Sequence, residues 1–359
     1  MIEEGEVKIF GEGRFYKGPG KKQAGFYNPT LEIDRDINVI FCQYIANKGA
    51  KKFLDGLAST GIRGIRIVKE IEGDIEMDIN DLNEKSYEII KKNIEINGIK
   101  ANALNENLCL LLQKNRYDYV DIDPYGSPLT FIPFLFNGIK RKAFASFTAT
   151  DVATLCGVYK KACIRKYNAV PLRGQAMKEI GTRILMGYIA RLSASFEYGF
   201  YPLLSYSYGH FFRIYAKFEK SIAKANENME NIGWIYWENG WKFCLYGDIP
   251  NKKFGGPLWI GKLHDEMVLN EMEKILKAKN FMKKKELKRL FMLFKEEINL
   301  PILYYESNYI AREMKTKQPK ISKIIETLQS KGYKAGRCHF MPNAFKTDAD
   351  YEKIKEIFK

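Results

Sequence analysis

The sequence predicts an α/β chain: an open, helix-covered sheet in residues 1–220, followed by a second, α+β domain in 221–359. Three observations carry that reading. Short β-forming runs alternate with helical patterns as far as residue 151. A glycine-punctuated loop and two carboxylates, Asp81 and Asp123, each fall where a strand ends, the edge at which open α/β sheets bind ligands. Near 221–260 the composition shifts: Trp234, Trp237, Trp241 and Trp259 cluster there with Gly233, Gly240, Gly255 and Gly256. At 359 residues the chain is long enough for two cores.

Residues 1–30 read as an early hairpin and then a basic loop, Tyr16-Lys17-Gly18-Pro19-Gly20-Lys21-Lys22. Phe26-Tyr27-Asn28-Pro29 fits a hydrophobic staple for the next helix, or a ring on which a base could stack. Thr30 or Asp34 can cap a helix through Val39–Ile45. Arg35 lies in its first turn, against the helix dipole; either an anionic ligand nearby answers it or water does. Residues 52–68 read strand, loop, helix, with Gly56, Gly61 and Gly64 in the turn. The loop is neither Gly-x-Gly-x-x-Gly nor a phosphate loop. It resembles the looser Asp-x-x-x-x-x-Gly loop of methyltransferases that bind S-adenosylmethionine.

A second strand, 74–81, ends in Asp81, 20 residues after Gly61, where an acid can accept both ribose hydroxyls of a nucleoside. A helix over 84–96 stops at Asn97-Gly98. Asn105-Glu106-Asn107 then reads equally as polar contacts for an adenine or as an ordinary N-cap. Tyr117–Ile122 is a short buried strand that Pro124 terminates, leaving Asp123 at its carboxyl end and Tyr125 two residues on. Asp-Pro-Tyr-Gly alone is also an ordinary turn. Its place after the glycine loop and Asp81 favours a site.

Residues 129–137 read as helix, 143–151 as a fifth strand, 174–194 as a long helix and 205–218 as a pair of strand segments. The basic stretch Lys160–Lys166 beside aromatics suits a phosphate backbone. His210 has no Cys or His at metal spacing and reads as structural or RNA-facing. Beyond the Trp-rich segment come amphipathic helices around 265–297, then two helices and a basic hairpin over 300–345, in the pattern of a winged helix.

Lys and Arg number 58 against 43 Asp and Glu, a formal +15, which calls for an acidic partner, most simply a nucleic acid. The 46% hydrophobic content excludes a disordered chain. The six cysteines form no Cys-x-x-Cys pair and read as reduced thiols of a cytoplasmic protein. No run is long and apolar enough to cross a membrane, and the acidic N-terminus is no signal peptide.

Together these residues resemble the archaeal type of tRNA (guanine-N2)-dimethyltransferase, the family acting on guanine 26 of tRNA. The resemblance rests on Phe26-Tyr27-Asn28-Pro29 with Asp34-Arg35-Asp36, on Asp55-x-x-Ala58-x-Thr60-Gly61-Ile62-Arg63-Gly64, on Asn80-Asp81 and on Asp121-x-Asp123-Pro124-Tyr125-Gly126-Ser127-Pro128. Thr148-Ala149-Thr150-Asp151, Cys156-Gly157, Val170-Pro171-Leu172-Arg173-Gly174 and Gly256-Pro257-Leu258-Trp259-Ile260-Gly261 extend it along nearly the whole chain. It implies a Rossmann-like class I methyltransferase domain and a C-terminal tRNA-binding domain. It further implies an S-adenosylmethionine site lined by Arg35, Arg63, Asp81, Asn105 and Glu106, a catalytic Asp123, and Phe26 and Tyr125 around the flipped guanine. No protein partner is implied. Two departures stand out: a single Cys244 where many relatives carry paired zinc-knuckle cysteines, so no metal is expected, and Asn105-Glu106 where relatives show Asp-Ala. A non-catalytic RNA-binding protein on the same fold is the rival reading, and it leaves Asp81 and Asp123-Pro124-Tyr125 unexplained. Methylation of adenine or a protein amide fits less well, because Gly126 follows Tyr125.

Overall fold

The computed structural model describes residues 1–11 and 24–359; the basic loop read at 16–22 lies outside them. A hairpin comes first: β1 (Ile2–Glu4) pairs antiparallel with β2 (Val7–Ile9). The main sheet has seven strands: β3 (Lys52–Asp55), β4 (Glu76–Asn80), β5 (Asn102–Leu104), β6 (Tyr117–Ile122), β7 (Ile139–Ala149), β8 (Tyr198–Tyr208) and β9 (Phe211–Lys220). Their order is β5-β4-β3-β6-β7-β9-β8. The pairs β5/β4, β4/β3, β3/β6 and β6/β7 are parallel. The expected strand–helix alternation is therefore present, with α1 (Glu32–Asn47), α2 (Ile62–Glu70), α3 (Glu84–Asn97), α4 (Leu108–Lys114) and α5 (Ile132–Gly138) between the strands. The fifth expected strand starts four residues earlier, at Ile139, and the strand segments expected at 205–218 are longer, spanning 198–208 and 211–220.

Two compact units make up the chain. One comprises Met1–Thr150, Tyr215–Lys220 and Met267–Arg289; the other comprises Asp151–Ile214, Ser221–Glu266 and Leu290–Lys359. In the first, β3 and β6 are apolar on both faces because helices cover them, the usual pattern of a parallel sheet. Phe41 of α1, Phe53 of β3 and Tyr119 of β6 meet in its core. The Tyr119 hydroxyl is satisfied there by the Asn38 amide at 2.7 Å and Ser146 at 2.6 Å. Asn28, rather than Thr30 or Asp34, caps the approach to α1. Its side chain accepts from the Thr30 N–H at 3.0 Å, and Pro29 opens the turn with no N–H to satisfy.

The second unit holds two small sheets. β10 (Ile232–Trp237), β11 (Trp241–Leu245) and β12 (Phe254–Trp259) form one antiparallel sheet, the Trp-rich segment read in the sequence. β13 (Tyr305–Glu306), β14 (Ala335–Arg337) and β15 (Ala344–Thr347) form the other in the order β13-β15-β14. The helices Ser307–Glu313, Ile321–Ser330 and Tyr351–Glu356 accompany it, and Ile310, Ile324, Leu328, Phe345 and Ile354 pack as their common core. Among the described residues no helix is long and apolar enough to cross a membrane.

Candidate active site

The loops following β3, β4, β5 and β6 converge because parallel strands end at one edge of the sheet. After β3 the chain must pass directly against β6. A Cβ on Gly56 would lie 3.0 Å from the Asp121 carbonyl oxygen, which accepts the Gly56 N–H. Asp55 then turns back to accept the Gly64 N–H at 3.0 Å, supplying the start of α2 with the cap that Gly61 lacks. Burial, with Asp121 adding its charge, pushes the Asp55 carboxyl up to about 7.

Ser59, at φ +53, links the parts of the site. Its N–H donates to Asp81 Oδ2 at 2.8 Å and its hydroxyl to the Phe26 carbonyl at 3.1 Å, and its side chain also hydrogen-bonds the Tyr125 hydroxyl. Asp81 Oδ1 accepts from Asn83 N–H at 2.8 Å. Burial raises the Asp81 carboxyl against those two donors. Asn80, fully buried, stitches two loops together: its amide donates to the carbonyls of Gly56 and Glu106, and its oxygen accepts from Glu106 N–H. The Asn105 amide donates to the carbonyls of Asp81 and Leu82, and the Glu106 carboxylate pairs with Lys114 at 2.6 Å. Asn107 is the residue that caps α4, through Cys109 N–H at 2.9 Å.

Asp123 sits beyond β6, with its side chain about a quarter exposed (26%). Arg63, from the first turn of α2, pairs with it at 2.7 Å, with buried Asp34 at 2.8 Å and through Nε with buried Asp121 at 3.2 Å. The turn carrying Asp123 is clipped at its far end. Gly126, at φ +93, donates its N–H to Thr150 Oγ1 at 2.7 Å, and Thr150 N–H returns a bond to the Gly126 carbonyl at 2.7 Å. Tyr125, 45% exposed, meets Phe26 edge-on with ring centroids 5.6 Å apart.

Arg35 lies a short way along α1 in a different network. What answers it is neither a ligand nor water but Glu4, from the hairpin: Arg35 Nε donates to Glu4 Oε1 at 2.6 Å, with a second contact from its Nη2. Glu4 also binds Arg66 at 2.8 Å and the Tyr27 hydroxyl at 2.8 Å, and Arg66 reaches Asp36 and Glu70. Burial alone would raise the Glu4 carboxyl, but the two guanidiniums bring it below its ordinary value. Phe26 and Tyr27 thus divide: one faces Tyr125, the other the hairpin.

The structure therefore brings Phe26, Arg63, Asp81, Asn105, Glu106, Asp123 and Tyr125 to one strand edge, and ties Arg35 to it through Asn28, whose carbonyl Arg35 contacts at 3.0 Å. Sequence reasoning gave no site role to Glu4, Asp34, Asp55, Ser59, Asn80 or Asp121, Asp34 being read only as a helix cap. Asp34, Asp55, Asn80 and Asp121 stood in quoted motifs; Glu4 carried no signal, since its partners lie 31 and 62 residues away.

One group among the described residues has the composition of a metal site: His264, Glu297 and His339, in the second unit. Its hydrogen bonds argue for a different role. Ser205 N–H points at His264 Nδ1 at 3.4 Å and Ser207 N–H at His339 Nε2 at 3.2 Å. Each ring therefore carries its proton on the inner nitrogen and donates it to Glu297, whose other oxygen lies 3.2 Å from Lys346.

Known proteins fit the same frame. The sequence pattern of the N2,N2-dimethylguanosine tRNA methyltransferases matches residues 5–359. The tRNA (guanine(26)-N(2))-dimethyltransferase of Pyrococcus horikoshii is 35% identical over 381 residues, covering 100% of this chain and 97% of that protein. Its namesake from Pyrococcus abyssi is 38% identical over 353 residues, covering 92% of each. The solved complex of Trm1 from Pyrococcus horikoshii with S-adenosyl-L-methionine superposes with a TM-score of 0.91 at 33% identity, over 100% of this chain and 99% of that one. With pattern, sequence and fold agreeing over the full length, the chain belongs to the N2,N2-dimethylguanosine tRNA methyltransferase family.

Proposed function

We propose that the protein methylates the exocyclic N2 of guanine 26 in tRNA, once or twice, with S-adenosylmethionine as the methyl donor. The observation that carries this reading is the Asp123 carboxylate, held at 2.7 Å by Arg63 beside the Phe26–Tyr125 pair. The site's charge suits the donor: Asp34, Asp121 and Asp123 surround a single guanidinium, so a cationic ligand is favoured there. Asp81 would take the ribose, with Asn105 and Glu106 by the adenine and Arg35 and Arg63 at the amino-acid end. Bound, the donor supplies an electrophilic methyl group.

The guanine amine is a poor nucleophile because its lone pair is delocalised into the ring. Asp123 accepts its N–H and takes the proton as the new N–C bond forms. The base leaves its stack to reach the carboxylate, and Phe26 and Tyr125 hold it, which requires their edge contact to open. The clips at Gly126 and Arg63 fix Asp123 from both sides, so alignment is built in before the base arrives. Residues 1–220 carry this chemistry, and residues 221–359 hold tRNA. The reaction runs in the cytoplasm without a protein partner.

Purified protein, unmodified tRNA transcript and labelled donor give the test. N2,N2-dimethylguanosine at position 26 is expected, and Asp123→Asn should keep donor binding while losing roughly 100-fold or more in single-turnover rate. Donor and tRNA binding without transfer would instead favour the non-catalytic RNA-binding reading.

A further inference from the structure

The second unit contains a cavity of about 350 Å³ that the methyl-transfer reading does not use. Four aromatic rings line it, and two of them reach solvent: Trp237, 39% exposed, and Tyr309, 46% exposed. The other two hold the walls. Trp237 makes perpendicular contacts with Trp241 at 5.2 Å and Tyr351 at 4.8 Å, which fix its indole plane. The Trp241 indole N–H donates to the Tyr304 carbonyl at 3.2 Å and its backbone N–H to the Tyr305 hydroxyl at 3.1 Å. The Tyr351 hydroxyl donates to Glu313 at 2.8 Å, and Gln175 hydrogen-bonds the same hydroxyl. The rings are thus ordered beforehand around a space that remains open.

Arg173 and Lys253 also line the cavity, and among the described residues neither makes an ion pair or side-chain hydrogen bond. Glu313 is its one carboxylate. Exposed aromatic faces, unpaired cations and a hydrogen-bond acceptor match the three parts of a nucleotide: ring, phosphate and base edge. The volume lies within the range of small-ligand pockets. A packing cluster would account for the perpendicular rings. It would not account for two unpaired cations beside two rings left open.

Resting on the tRNA reading above, we propose that this cavity binds one unstacked nucleotide of the tRNA, its base against Trp237 and Tyr309, its phosphate at Arg173 and Lys253, and an exocyclic amine of the base at Glu313. This is a binding subsite separate from the methyl-transfer residues.

The test uses the full chain and unmodified tRNA transcript. Tyr309→Ala removes an exposed ring with little risk to folding, and Arg173→Ala/Lys253→Ala removes the phosphate contact. Each should weaken tRNA binding about tenfold, raising KM with kcat and donor affinity unchanged. Tyr309→Phe should restore parental binding, and the Arg173→Ala/Lys253→Ala variant should show a shallower salt dependence. Ultraviolet crosslinking should leave a nucleotide on the peptide containing Tyr309 or Trp237. Parental tRNA affinity in both variants overturns the subsite while leaving the methyltransferase reading intact. A parent protein that binds no tRNA overturns both.

Discussion

Arg63→Lys separates two roles for one residue. The resemblance puts Arg63 on the cofactor, whereas its ion pairs make it the anchor of Asp123. Lysine keeps the charge but replaces a fork with a point. One ammonium cannot stand at both Nη2, which serves Asp34 and Asp123, and Nε, which serves Asp121. One buried carboxylate, Asp34 (3% exposed) or Asp121 (1%), loses its contact with residue 63, at a cost of about 2–3 kcal/mol for a charge-assisted bond. Asp123 loses less, about 1 kcal/mol, because at 26% exposure water replaces part of the contact. The sum, about 3–4 kcal/mol, should lower Tm by roughly 4–5 °C in a protein of 359 residues. The freed Asp123 should cost roughly 10- to 100-fold in single-turnover methyl transfer at saturating donor. Calorimetry for Tm, titration calorimetry for donor affinity and quenched-flow for the rate give all three readouts. An unchanged rate with donor affinity down tenfold would refute the anchoring argument and put Arg63 on the cofactor.

Glu4→Gln removes the charge that answers Arg35 and Arg66 and should destabilise the protein by about 3–5 kcal/mol, as breakage of a buried pair does; a Tm within 2 °C or so of the parent would show that Asp36 and Glu70 suffice for Arg66 and the Asn28 carbonyl for Arg35. Asp55 binds its proton more tightly folded than unfolded, so its contribution to stability is lost as pH rises from about 4 to about 7. Asp55→Asn keeps an acceptor for Gly64 and should therefore match the parent near pH 3 and exceed it near pH 8, by at most about 4 kcal/mol; a Tm difference independent of pH would contradict this. Tyr125→Phe keeps the ring and should leave tRNA KM within a few-fold, whereas Tyr125→Ala should raise it about tenfold; equal losses in both would assign the role to the hydroxyl near Ser59.

The strand-end logic was legible because it needs only local signals. Asp81 and Asp123 follow β-forming runs, and prolines and glycines mark where those runs stop. The glycine loop was legible for the same reason, although the close pass of Gly56 over the Asp121 carbonyl needed coordinates. What stayed hidden were partners distant in sequence. The cation in the first turn of α1 was read as facing an anionic ligand or water, whereas its partner is Glu4, which nothing in the chain identified, since a three-residue strand has almost no pattern. The cap of α1 was misread because Asn28 acts through a 3-10 turn before the helix proper. The grouping of His264, Glu297 and His339 was equally out of reach, with 33 and 42 residues separating each histidine from the glutamate.

The charge of the whole chain and the charge of the site oppose each other, and the opposition has a use. A formal +15 draws a polyanion to the protein from any direction. Among the described residues the strand edge carries Asp34, Asp121, Asp123 and Asp81 around Arg63, and the nearby Arg35 is paired with Glu4, so a phosphate finds no welcome among those carboxylates. RNA held by the outer field therefore presents a base, not its backbone, to Asp123. Raising ionic strength to about 0.1 M screens the first interaction beyond about 10 Å and touches the second far less, where Asp34 and Asp121 are buried and Asp123 is only partly exposed. Salt should accordingly raise the KM for tRNA steeply and leave donor affinity nearly flat; parallel losses in the two would mean that surface charge, not the buried acids, governs the donor site.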